Sequence, residues 1–327
     1  MRTTKIAPIA VVASLIAGQE GHAAILANPA ITNSSTAFNG SYSADRAFDG
    51  NPESSEYATQ GIGAGAFMEF DFGSAVTMDR FVHINRSGDV INTSTLILSN
   101  NADFSSPVAT VDITHLGGGS GEAYSLGGVY TARYARWVVD TTSGFPNVGA
   151  KEIRFLNTSA DGIMLSATAI GGSAAYNGNY ALSNASNGVF GSDGSGREYA
   201  FNGNAGGGAT NMFIDFDLGA GNQATSFDLF DRWAGGDRTL AFDLIFSDTS
   251  DFSNILSTQS YNKGSIWDFS GTITPVEGGR YVRFDSTDAA FGANSGIMEI
   301  SFYSVPEPSA VLLGGFGVLA LLRRRRW

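Results

Sequence analysis

Arg232, Trp233, Asp237 and Arg238 fall within seven consecutive positions, where the run Phe227-Asp-Leu-Phe-Asp-Arg232 gives way to the loop Ala234-Gly-Gly-Asp-Arg238. An indole on a loop can stack on the apolar face of a sugar ring while guanidinium and carboxylate groups bond its hydroxyls. These four residues are the candidate ligand-binding set, with carbohydrate as the ligand class. A second reading keeps Trp233 structural, as a ring covering the end of its own domain.

Catalytic constellations are not found. Nucleophilic catalysis needs a Ser or Cys beside a His that an acid orients. The chain has no cysteine and three histidines, of which only His83 and His115 lie beyond the N-terminal segment. Paired carboxylates suited to glycoside cleavage are available anywhere among 31 acidic residues, so their presence distinguishes nothing. We expect no enzyme and no catalytic residue. The scarcity of histidine also argues against a His-rich transition-metal site.

The elements that would position such residues are strands, and they come twice. Phe67-Met-Glu-Phe-Asp-Phe-Gly73 is answered by Phe213-Ile-Asp-Phe-Asp-Leu-Gly219, and Phe81-Val-His-Ile-Asn-Arg86 by Phe227-Asp-Leu-Phe-Asp-Arg232. Leu96-Ile-Leu-Ser-Asn-Asn-Ala-Asp-Phe104 matches Leu244-Ile-Phe-Ser-Asp-Thr-Ser-Asp-Phe252. Arg133-Tyr-Ala-Arg-Trp137 matches Arg280-Tyr-Val-Arg-Phe284, and Glu152-Ile-Arg-Phe155 matches Glu299-Ile-Ser-Phe302. Five blocks in one order at nearly constant spacing mark a duplication, with copies at 25–158 and 160–304. Within the blocks apolar side chains alternate with polar ones: Met68, Phe70 and Phe72 point one way, Phe67, Glu69 and Asp71 the other. Likewise Tyr134 and Arg136 share a face opposite Ala135 and Trp137, which reads Trp137 as core. Stretches such as Gly117-Gly-Gly-Ser-Gly121 separate these runs, and no amphipathic helix of useful length is present. The fold class expected is all-β, a β-sandwich repeated twice.

Two terminal segments stand apart. Arg2 and Lys5 precede the apolar stretch Ile6 to Ala17, and small residues surround Gly21-His-Ala-Ala24, the layout of a secretory signal peptide over 1–24. At the other end Val305-Pro-Glu-Pro-Ser309 leads into an uncharged run to Leu322 and then Arg323-Arg324-Arg325-Arg326-Trp327. The prolines make an extended spacer. The 13 apolar residues from Ala310 to Leu322 span ~20 Å as a helix, short of the ~30 Å hydrocarbon core. Four terminal arginines would hold that end in the cytoplasm. Without the two segments, 13 basic residues face 29 acidic ones, a net charge near −16. That balance speaks against nucleic acid and anionic lipid as partners.

Spacer, short apolar helix and arginine cluster together resemble the PEP-CTERM sorting signal of bacterial exported proteins. The resemblance implies that Pro306, Glu307 and Pro308 are read by an exosortase-type membrane protease, with the tail, 305–327, removed. The location implied is export across the inner membrane, transient anchoring by the C-terminal helix, then cell surface or extracellular matrix alongside exopolysaccharide.

The repeated blocks, with Ala47-Phe-Asp-Gly-Asn51 ahead of them, resemble the F5/8 type C, or discoidin, family. That resemblance implies galactose-binding-like jelly rolls whose end loops bind glycan or phospholipid head groups. It also implies a structural calcium in the first domain, held by Asp49, the Asn51 carbonyl, Ser54 and Glu152. An Asx-turn at Asp49 with a solvent-facing Glu152 is the alternative. In the second copy the motif becomes Asn187-Gly188-Val189, which loses a charge and makes calcium less expected there. The function anticipated is a non-catalytic, adhesive surface or matrix protein. The rivals are a purely structural surface protein and a hydrolase or its accessory.

Overall fold

The computed structural model describes residues 25–52, 55–191, 197–203, 212–232, 237–290 and 294–304. The expected signal peptide, the tail from 305 onward, Ser54 and Trp233 lie outside them. The fold is all-β, made of β-sandwich layers, with a single four-residue α-helix, α1 (Thr158–Asp161), among the described residues.

The first copy contributes β1 (Ala30–Ser34), β2 (Tyr57–Ala58), β3 (Phe67–Asn85), β4 (Val90–Ser99), β5 (Pro107–Thr114), β6 (Ser120–Ser143) and β7 (Gly149–Leu156). Their order is β2-β7-β3-β6-β4-β5, with β1 also on β3. The long strands β3 and β6 serve both layers. They bend where the register shifts, between Asp71 and Val76 and again between Met78 and Arg80. Gly73, at φ +78°, makes the first bend, and Asp71 Oδ1 accepts its N–H at 2.7 Å.

The second copy contributes β8 (Ile163–Met164), β9 (Thr168–Gly172), β10 (Val189–Gly191), β11 (Tyr199–Ala200), β12 (Phe213–Asp217), β13 (Ser226–Asp231), β14 (Thr239–Ser247), β15 (Ile255–Asn262), β16 (Asp268–Thr272), β17 (Tyr281–Ala289) and β18 (Gly296–Ser304). Here the two long strands are each broken in two, β12 and β13 for β3, β16 and β17 for β6. The layers are therefore separate sheets, β11-β18-β13-β16 with β8 beside β18, and β15-β14-β17-β12-β9.

Each copy closes its own core. Met68, Phe70, Phe81, Trp137 and Phe155 fill the first, and Ile214, Phe216, Phe227, Phe242 and Phe302 the second, all almost fully buried. The alternation read in the sequence sets these faces, and Trp137 is core as expected. Burying an aromatic of this size contributes about 2–3 kcal/mol. The duplication extends to single contacts. The hydroxyl of Tyr57 donates to Ser35 O and that of Tyr199 to Ser173 O, both at 2.8 Å. Both tyrosines plug the core rather than form a rim. Arg133 forks onto Asp71 and Arg280 onto Asp217. Arg136 pairs with Glu69 over the Phe104 ring, and Arg283 with Asp215 over the Phe252 ring.

The copies meet through the outer faces of β3/β7 and β13/β18. Val82, Ile84, Leu156, Phe230, Trp267 and Met298 form one apolar cluster shared between them. Strand β10 of the second copy pairs antiparallel with Ser120–Glu122 of β6 in the first. On the other side, the Gly50 loop of the first copy lies against Trp267 of the second. Each copy thus presents its Asx-Gly loop to the other, the self-complementary pattern of a two-fold interface.

Candidate functional site

The most developed polar cluster lies where β3, and its counterpart β13, run out. In the first copy Arg86 donates from Nη1 to Asp89 Oδ2 (2.7 Å) and to the Asn147 carbonyl, and from Nη2 to Glu56 Oε1 (2.8 Å). Its guanidinium carbon sits 5.7 Å from the Tyr42 ring centroid. In the second copy Arg232 donates from Nη1 to Asp237 Oδ2 (2.9 Å) and to Asn294 O (2.8 Å). Its Nε lies 3.4 Å from Glu198 Oε1 and its guanidinium carbon 5.5 Å from the Tyr180 ring. One arginine, two carboxylates, a backbone carbonyl and a tyrosine face recur with the same roles.

Local sequence explains the placement. Asn39 and Asn177 accept the N–H two residues on, at 2.8 and 2.9 Å, and cap the short 3-10 turns that carry Tyr42 and Tyr180. Glu56 and Glu198 precede the short strands β2 and β11, which pair with β7 and β18. At these pairings Gly149 and Gly296 have no room for a side chain: a Cβ would stand 1.9 Å from Tyr57 O and Tyr199 O.

In the first copy the cluster opens into a polar cavity of about 360 Å³ lined by Ser41, Tyr42, Glu56, Arg86, Ser87 and Lys151, among others. Arg86 Nε and Asp89 Oδ1 are buried without a hydrogen-bond partner among the described residues. The cavity therefore joins an aromatic face to charged donors and acceptors, the combination that holds a polyhydroxylated ring.

Of the anticipated glycan set, Arg232 and Asp237 are brought together in the second copy. Arg238 follows them, and its carbonyl accepts the Ala290 N–H at 2.9 Å. Trp233 lies outside the described residues. Tyr42, Glu56, Lys151, Tyr180 and Glu198 were not singled out in the sequence. Their signal was present in the paired motifs Asn39-Gly-Ser-Tyr42 with Asn177-Gly-Asn-Tyr180, and Glu56-Tyr-Ala58 with Glu198-Tyr-Ala200.

Of the anticipated calcium donors, Ser54 lies outside the described residues, the Asn51 carbonyl accepts the Ser55 N–H at 3.1 Å, and Asp49 and Glu152 have other partners. Asp49 Oδ1 accepts the Asn51 N–H at 3.0 Å, an Asx-turn, and Oδ2 accepts the Ser55 hydroxyl at 2.5 Å. Glu152 is fully buried rather than solvent-facing, and Arg154 Nη1 donates to its Oε1. Burial pushes the Glu152 carboxyl up to about 8, against the pull of Arg154. Arg154 Nη2 stands 3.6 Å from where a Cβ on Gly50 would be. As arranged, these groups do not fit a calcium ion, because the positive charge between the Gly50 loop and Glu152 is a guanidinium. Among the described residues no group of three carboxylates or imidazoles is spaced to hold a metal.

Comparison with known proteins bears on the tail and the sandwiches separately. Residues 304–326 match the family described as the PEP-CTERM protein-sorting motif. No curated protein matches the chain. Among solved structures, a fucolectin from striped bass (Morone saxatilis) serum is 14% identical, covering 85% of this chain and 97% of its own, at a TM-score of 0.32. The CBM32-1 and CBM32-2 domains of Clostridium perfringens ZmpB are 12% identical over 86% of this chain and 94% of theirs, also at 0.32. A chitosan-binding module of a Paenibacillus sp. IK-5 chitosanase/glucanase, solved with chitotriose, is 16% identical over 40% of this chain and 97% of its own, at 0.34. At these scores the likeness is loose.

Proposed function

We propose that the protein is an exported, non-catalytic surface component that binds glycan through the ends of its two sandwiches. The observation that carries this reading is the repeated arginine, two-acid and tyrosine cluster, which in the first copy opens into a polar cavity of monosaccharide scale. Tyr42 would meet the apolar face of the ring, and Glu56, Arg86 and Lys151 its hydroxyls. In the second copy Arg232, Asp237 and Arg238 would do the same, and Trp233 remains the stacking candidate that the sequence offers. The sorting motif at 304–326 supports delivery by an exosortase-type protease acting at Pro306, Glu307 and Pro308, with Arg323, Arg324, Arg325 and Arg326 as the cytoplasmic stop. The net acidic body favours polysaccharide over nucleic acid as the partner. Calcium at Asp49 and Asn51 would require Glu152 to leave Arg154.

The test is a glycan array probed with the purified protein, first with calcium and then with chelator. We expect binding that falls at least tenfold in Tyr42→Ala or Trp233→Ala, the affected variant locating the site. A folded protein silent on every glycan sinks the adhesive reading in favour of a purely structural surface protein. Loss of binding in chelator would restore a calcium role.

A further inference from the structure

The two-fold face between the copies is filled on one side and open on the other. On the filled side Arg154, on β7, reaches Asp268 Oδ2 of the second copy at 2.5 Å and also holds Glu152. The position matching Arg154 on β18 is Ser301, and the position matching Glu152 is Glu299. The open side thus keeps the buried carboxyl and lacks the guanidinium. A cavity of about 320 Å³ lies there, between the copies, lined by Arg80, Glu122 and Leu156 of the first and Phe230, Glu299 and Ser301 of the second, among others.

Glu299 is held in this cavity by hydrogen bonds alone. Its Oε2 accepts the Gly188 N–H at 2.9 Å, the Asn187 backbone and the Ser301 side chain also bond the carboxyl, and no lysine or arginine ion-pairs with it among the described residues. Arg80 is tethered to the opposite wall, to Ala123 O at 3.3 Å and Thr158 Oγ1 at 3.4 Å. Burial holds Glu299 well above the usual carboxylate range, with no cation pulling it down.

We propose that this cavity binds a small organic cation, an alkylammonium or guanidinium, whose charged head takes the seat at Glu299 that Arg154 fills beside Glu152. The chain-internal precedent sets the ligand class: the same carboxyl, on the same strand, against the same loop, is satisfied by a guanidinium in the other half. Phe230 and Leu156 give the apolar walls against which a short alkyl chain would lie. On binding, any proton that the Glu299 carboxyl carries leaves to solvent as the cation takes its place.

The test titrates the full chain with n-butylammonium chloride by calorimetry in two buffers of different ionisation enthalpy, with n-butanol and sodium chloride as controls. We expect saturable binding, at least tenfold weaker in Glu299→Gln, which keeps the side-chain shape; the difference between the two buffers counts any proton released. Ser301→Arg should abolish binding and raise the melting temperature by filling the seat from within. Absence of saturable binding to the wild type, equal binding to Glu299→Gln, equal binding of n-butanol, or calcium binding in place of the ammonium would each overturn the proposal. Should Ser301→Arg fail to fold, Glu299→Gln alone decides. None of these readouts depends on glycan binding.

Discussion

Arg154 of the first copy and Asp268 of the second are joined at 2.5 Å across the interface, with the Arg154 side chain only 4% exposed. The bond fixes the rotation of one sandwich on the other, because the guanidinium is held on its far side by Glu152 and lies 5.6 Å from the Trp267 ring. Removing one member strands the others in a buried setting.

Arg154→Ala should therefore cost about 3–5 kcal/mol, the range for breaking a buried pair. Glu152→Gln should be milder, since it keeps a hydrogen-bond acceptor beside Arg154 and leaves the guanidinium paired with Asp268. Chemical denaturation of both variants checks this. Equal losses would show that Asp268 alone does not hold the guanidinium.

Acid should destabilise the first copy selectively. His83 and His115 lie side by side in its core, 4.4 Å between ring centroids and tilted by 58°, and His115 Nε2 is 2.6 Å from Ser94 Oγ. Burial lowers His115 to about 3 and His83 well below its usual value, where the neighbouring His115 adds to the effect. Unfolded, these rings take up protons below about 6.5. The unfolded state thus binds more protons between about 6.5 and 3, and stability falls as pH is lowered through that window. His83→Leu, which copies Leu229 of the second sandwich, should flatten the dependence of melting temperature on pH.

Lys263 and Asp231 form a pair at 2.7 Å with both side chains fully buried. Lys263→Met or Asp231→Leu alone should cost about 3–5 kcal/mol, and the double substitution much less than the sum. A double-mutant cycle by denaturant unfolding measures the coupling, and additive losses would refute it.

Gly149→Ala and Gly296→Ala should each destabilise severely, by more than about 2 kcal/mol, since the new methyl would displace the β2 or β11 backbone. Gly40→Ala, with nothing within 4 Å of its new Cβ, is the control and should be near neutral. The same glycine variants should weaken any ligand bound beside Glu56 or Glu198, which these pairings position.

The strands, their buried faces and the duplication were legible in the order of residues. Period-two alternation fixes which side of a strand is apolar, as at Met68 and Phe70, and a 146–148-residue offset links pairs such as Arg133 and Arg280. The tail too was legible, because its order of prolines, apolar run and arginines is a linear signal. What residues far apart in the chain do together depends on how the strands and loops come together in space. Tyr42, Glu56 and Arg86 meet because turn, strand end and loop converge at one end of a sandwich, a relation no local pattern encodes. Glu152 read as a solvent-facing or metal-bound acid; it is buried because a second copy covers its strand and Arg154 supplies the cation. Ser301 stands where the first copy has Arg154. Its meaning, an absent guanidinium, exists only once the two copies are set face to face.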